Sequence, residues 1–165
     1  MKGEGVANVT EALSREHEVV LKELDRFDRA LERFDLDGIR ETLRFFVEGL
    51  PVHRRKEEEV LFPELGKHIG TEIGPIACML EEHADEKEKV EFLRRALESG
   101  EPARVRSEIV AAGRYIVTLL RNHIFKEDHV LFPLAEATLN VEEKRRVKEG
   151  MDGIGYCCGA CGHAA

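Results

Sequence analysis

HRRKEEEVLFPEL, from His53 to Leu65, returns 70 residues later as HIFKEDHVLFPLA, from His123 to Ala135. Each phrase is His, three residues, Glu, two residues, then Val-Leu-Phe-Pro. His and Glu at i and i+4 project from the same face of a helix. One such helix offers an imidazole and a carboxylate to a single point. Two related by a pseudo-twofold axis offer a pair of each.

The sequence around the two phrases reads as amphipathic helices. Leu13, His17, Val20, Leu24, Phe27, Leu31 and Phe34 step by four and three, the seam of a helix facing other helices. Asn8 with Glu11 resembles a capping box that opens it. A second seam runs through Ile39, Leu43, Phe46, Leu50, His53, Glu57 and Val60, with Gly49 and Pro51 expected to bend or split the helix and Pro63 and Gly66 to lie near its end. Gly74-Pro75 opens a third helix through Ile76, Met79, His83, Glu86, Val90, Leu93 and Leu97, stopped by Gly100. Pro102 opens a fourth through Val105, Ile109, Ala112, Ile116, Leu119, His123, Glu127, Val130 and Leu134. Asn140 with Glu143 caps a short fifth helix ending near Glu149. No strand pattern competes. The expectation is an all-α protein: an antiparallel up-down-up-down four-helix bundle over residues 1–149, followed by a Gly/Cys-rich tail over 150–165.

The polar residues on the inner seams carry the chemistry. His17, His53, Glu57, His83, His123 and Glu127 all fall where apolar side chains belong. Burying ionisable groups is costly unless they pair or bind a metal. His17 lies 17 residues before Phe34 and His53 lies 18 after Asp35, so an antiparallel pair brings them to one level. Four imidazoles and two carboxylates in one layer suit two metal ions with room for a small ligand. Mixed nitrogen and oxygen ligation without thiolate favours iron or manganese and also accepts zinc.

The doubled His-x-x-x-Glu motif, with single His residues His17 and His83 preceding each copy, resembles the hemerythrin-like family of HHE cation-binding domains over roughly residues 8–138. That resemblance implies a four-helix bundle holding two non-haem iron ions, with His17, His53, Glu57, His83, His123 and Glu127 as ligands. It implies binding of O₂, NO or a related diatomic, in sensing, redox chemistry or iron–sulfur repair. The chain departs from the oxygen carriers of the family at two places. Lys87 stands where they have a second His one turn after the third-helix His. Glu127 lies four residues after His123 where they have an Asp at five. Both departures favour a sensor, redox or repair role over reversible oxygen carriage. An iron-sensing or metal-storage module without turnover is the alternative, and the sequence leaves turnover open. A purely structural polar network would hold no metal. A nucleophilic hydrolase lacks support, because no Ser or Cys lies in the polar layer.

Several residues stand beside this set. Glu86, three residues after His83, is a candidate extra ligand or a gate; its alternative is pairing with Lys87 or Lys89. Tyr115 points along the fourth seam or fills core. His129 reads as surface, and His68 has no evident role. In the tail, Cys157, Cys158, Cys161 and His163 could bind zinc, copper(I) or an iron–sulfur cluster, or act as a dithiol.

Composition sets the frame. With 165 residues the chain suits one domain, and a net charge of −8 argues against nucleic acid as the main partner. No apolar run approaches the roughly 20 residues of a membrane span. The N-terminus has no apolar leader, so a reducing cytoplasm is the expected setting. No feature of the sequence names a protein partner.

Overall fold

The computed structural model describes residues 8–157, and every regular element among them is helical. Helix α1 is Glu11–Arg33, α2 spans 36–69, α3 is Pro75–Glu98, α4 spans 106–138 and α5 is Val141–Ile154. A 3₁₀ turn, Pro102–Val105, leads into α4. Helix α1 packs on α2 and α4, and α3 packs on the same two, which closes a ring of four. Neighbours are antiparallel. Across α1 and α2, Phe27 meets Phe46 while Glu16 meets Lys56. Across α1 and α4, Leu31 lies against Gly113 while His17 meets Asp128. Gly113 permits that close crossing, since a Cβ there would lie 2.6 Å from Leu31 Cδ1. Helix α5 lies along the middle of α2.

The predicted seams of α1 and α3 are the buried ones, from Leu13 to Leu31 and from Ile76 to Leu97. The core falls into two apolar clusters. One holds Val20, Leu24, Phe27, Leu93 and Ile116; the other holds Leu13, Leu61, Phe62, Met79 and Phe132. His17 lies between Leu13 and Val20 on α1, so the polar layer separates the two clusters.

Several helix details differ from expectation, and one cause accounts for most. Helix α2 does not split at Pro51 and ends at Ile69, just past Pro63 and Gly66, and α4 continues through Pro133 as a seam reaching Leu134 requires. Each of these prolines follows a π turn: Phe45–Gly49, Glu57–Leu61 and Glu127–Leu131. In each turn an amide reaches back five residues: Leu50 to Phe45, Phe62 to Glu57 and Phe132 to Glu127. The wider turn relaxes the ladder where proline has no N–H to give. It also shifts the seam by one residue. Leu61 and Leu131 are buried, whereas Val60 is half-buried and Val130 is exposed. Upstream on α4, the inner line runs through Gly113, Ile116, Val117 and Leu120, so Ala112 and Leu119 are only half-buried. Tyr115 is off that line; it is exposed and donates its hydroxyl to Asp85.

At the ends, the Asn8–Glu11 capping box does not form. Asn8 Oδ1 accepts from the amide and hydroxyl of Thr10, and α1 starts at Glu11. The Asn140–Glu143 box does form, with both reciprocal bonds. Helix α5 passes Glu149 and reaches Ile154, because Val147 and Met151 are buried along its inner face. Cys158, Cys161 and His163 lie outside the described residues.

Candidate metal centre

The bundle brings His17, His53, Glu57, His83, His123 and Glu127 together, all buried. They form two quartets: His17, His53, Glu57 and Glu127, and His83, His123, Glu57 and Glu127. Within each quartet the ligand atoms lie within 4.8 Å of one another, close enough to hold one cation. Both carboxylates belong to both quartets. Glu57 Oε1 faces His53 Nε2 at 3.0 Å and its Oε2 faces His83 Nε2 at 3.3 Å. Glu127 Oε2 faces His17 Nε2 at 3.1 Å and its Oε1 faces His123 Nε2 at 3.2 Å. The His17 and His53 Nε2 atoms are 3.1 Å apart, as are those of His83 and His123.

What points all four Nε2 atoms inward is a set of outer carboxylates that the seam pattern misses. His17 Nδ1 meets Asp128 at 2.9 Å and His53 Nδ1 meets Glu16 at 2.7 Å. His83 Nδ1 meets Glu58 and His123 Nδ1 meets Glu82, both at 2.9 Å. With Nδ1–H donated outward, each Nε2 turns a lone pair to the centre. The four oxygens of Glu57 and Glu127 are buried, and apart from the facing imidazole Nε2 atoms no donor reaches them. Facing lone pairs and carboxylates repel unless something positive sits among them.

In the metal-free chain that positive charge is a proton. Burial alone would lower the pKa of His53 and His123. The charges of Glu57 and Glu127 prevail and hold both imidazoles at about 10. A His whose folded pKa exceeds its unfolded value of about 6.5 stabilises the fold below that value, and the contribution is lost as pH rises through the folded pKa. The metal-free protein is therefore expected to lose stability as pH climbs from about 6.5 to about 10. The metal-loaded protein keeps its stability there, because a cation replaces the protons. Thermal melts across this window, with and without chelator, test this; a metal-free melt that rises with pH contradicts it.

Aromatic rings complete the layer. Phe132 stacks on His17, with centroids 5.4 Å apart, and Phe62 stacks on His83 at 5.9 Å. On the opposite side of the layer His17, His53, His83 and His123 line a small cavity, with Val20, Leu50, Leu120 and Ile124 as its apolar wall. Glu86 borders this cavity, buried, and pairs with Arg54 rather than joining either quartet or meeting Lys87 or Lys89. The reason is local: Arg54 follows His53 on α2 and directly faces α3. Lys87 instead bonds Glu58, the carboxylate that orients His83. His129 is exposed and bonds the Phe125 carbonyl, and His68 bonds Glu143. Cys157 is buried away from both quartets, and its amide donates to Glu16 at 2.9 Å.

The missed carboxylates do have a signature. Glu16-His17 recurs as Glu82-His83, and Lys56-Glu57-Glu58 recurs as Lys126-Glu127-Asp128. The repeat is thus wider than the two quoted phrases.

A four-helix bundle with paired His/Glu quartets at its centre defines a cation-binding bundle protein. The family description "Hemerythrin HHE cation binding domain" matches residues 8–135, and the chain belongs to that family. It is similar to proteins named "Iron-sulfur cluster repair protein YtfE". The one from Dickeya chrysanthemi is 28% identical over 145 residues, covering 81% of this chain and 65% of that protein. The one from Musicola paradisiaca is 29% identical, covering 72% of this chain and 59% of that protein. The one from Escherichia coli K12 is 31% identical, covering 61% and 48%. The chain therefore spans less than two thirds of these relatives. No solved structure matches it. No helix among the described residues is long and apolar enough to cross a membrane.

Proposed function

We propose that the two quartets hold two non-haem iron ions and that the protein uses them on a small diatomic, O₂ or NO, in the setting of iron–sulfur repair in a reducing cytoplasm. In this reading Glu57 and Glu127, which belong to both quartets, would be shared by the two ions, with His17 and His53 holding one and His83 and His123 the other. The observation that carries it is the set of four buried carboxylate oxygens, shared by both quartets, whose only polar neighbours are imidazole Nε2 atoms. An all nitrogen and oxygen donor set suits iron, with manganese and zinc as poorer matches to the relatives' names.

The bound metals supply redox chemistry toward the diatomic. The chain's own residues do the rest. The outer carboxylates fix each imidazole in the tautomer that leaves Nε2 free. Phe62 and Phe132 keep two rings from rotating. Val20, Leu50, Leu120 and Ile124 exclude larger polar molecules from the cavity, whose volume of about 20 Å³ takes a molecule of water's size. That fit favours a diatomic ligand over a module that only stores or senses iron, which needs no such space.

Elemental analysis of protein purified without oxygen, beside a His53→Ala/His123→Ala variant, is the test. The expected result is two irons per chain, largely lost from the variant, with a visible spectrum that changes when NO is added. A wild type without metal after iron loading, or a variant that keeps its full share, overturns the assignment.

A further inference from the structure

We propose, on the paired-iron reading above, that the two metal positions are unequal. The ion held by His17 and His53 is retained, and the ion held by His83 and His123 is the exchangeable one that the protein gives up. The two halves carry the same inner ligands and the same Glu16/Glu82 pair, with Asp128 standing opposite Glu58 as the one change of orienting residue, so the larger difference lies in what closes over them.

In the first half Glu16, which orients His53, accepts from three donors. These are His53 Nδ1 at 2.7 Å, Lys56 Nζ, and the backbone N–H of Cys157 at 2.9 Å. The Glu16 and Lys56 side chains are 1% and 2% exposed. The segment after α5 seals them: Tyr156 lays its ring 5.2 Å from the Lys56 ammonium, and Cys157 is buried beside Gly49. In the second half the corresponding Glu82 and Lys126 are 19% and 37% exposed. Beyond His123 and Lys126, Glu82 meets the Cys78 thiol at 3.9 Å.

The other orienting pair shows the same bias. Asp128, behind His17, accepts from the Ser14 hydroxyl at 2.8 Å, a short side chain with little freedom. Glu58, behind His83, is held by the exposed Lys87 ammonium at 3.1 Å and, more distantly, by Arg54 Nε at 3.9 Å. The residues matching Ser14 and Lys87 in the opposite halves are Leu80 and Leu21, so neither contact has a counterpart.

A metal leaves when its ligands swing away, and an imidazole swings only if its Nδ1 partner follows or lets go. Releasing Glu16 would strand a buried lysine and a buried amide, which is costly. Releasing Glu82 leaves Lys126, and releasing Glu58 leaves Lys87, both within reach of water, while Arg54 keeps its closer pairing with Glu86; such exposed pairs contribute little. Orienting partners of this kind change metal affinity by about 10–100-fold.

The test is chelator competition on the iron-loaded full chain, followed by iron absorbance of the chelate. Two phases are expected, one iron each, separated by about 10–100-fold in rate. Glu82→Gln accelerates only the fast phase. Glu16→Gln accelerates the slow phase, and so does Cys157→Pro, which removes the one backbone donor and leaves every metal-facing side chain in place. His83→Ala retains one slow iron. A single phase for both irons overturns the inequality. So does a slow phase unmoved in both Glu16→Gln and Cys157→Pro, provided circular dichroism shows them folded. A full chain that takes up no iron fails the paired-iron reading itself, which separates the two.

Discussion

Glu57→Gln is expected to cost the protein both metals, whereas His17→Ala costs one. Glu57 is shared: its two oxygens face His53 and His83, which belong to different quartets. Glutamine keeps the shape but replaces one oxygen by a donor, and that donor meets an Nε2 lone pair. Neither position then has its bridge. The loss reads out in stability as well as in metal content. A ligand at about 100–1,000 times its dissociation constant stabilises the folded chain by about 2.7–4.1 kcal/mol per site. Wild type is therefore expected to gain several degrees in Tm on iron loading, and the variant almost none. Metal-free melts of the two differ by the lost pairings of Glu57 with His53 and His83 alone, and the loaded melts differ by that plus the contribution of both irons. If Glu57→Gln lowers both melts equally, the carboxylate supports the fold rather than a metal, and the proposed centre fails.

The six inner residues were legible because charge on a helical seam violates the hydrophobic pattern, and the violation occurs on all four bundle helices. Their outer partners were not, and Glu16 shows why. It sits one residue before His17, about 100° round the helix, where a charged residue normally meets water. Only the arrival of α2, and then of residues 155–157 over Lys56, turns that flank into interior. Periodicity along one helix carries no information about that closure. The π turns were hidden for a related reason. Val-Leu-Phe-Pro is equally consistent with a helix stop, and the seam extrapolated at α-helical spacing selects Val130. The wider turn after Glu127 selects Leu131 and Phe132 instead. Proline ordinarily interrupts α-helical bonding; the five-residue bonds before Pro51, Pro63 and Pro133 remove the conflict and let the helices run on.

Phe132 is where this shifted register carries the most energy. The side chain is 2% exposed, lies in the apolar cluster with Leu13, Phe62 and Met79, and stacks on His17 with ring planes 8° apart. Phe132→Ala is expected to destabilise the protein by about 3–5 kcal/mol, from lost apolar burial and the cavity left behind. For a chain of this size that lowers Tm by roughly 6–20 °C. It also frees the His17 ring, so the metal position shared with His53 should weaken while the other changes less. Phe125, on the same helix, provides the contrast. It is 60% exposed and stacks only on the surface residue His129. Phe125→Ala is expected to stay within about 0.5 kcal/mol of wild type, with metal content unchanged. Had α4 continued as a regular α-helix, Val130 would face inward in place of Leu131. Comparable losses from Val130→Ala and Phe132→Ala would therefore show that the π turn does not set the register. A large loss at Phe132 beside a negligible one at Val130 is the result the structure demands, because the exposed valine has no apolar cluster to leave.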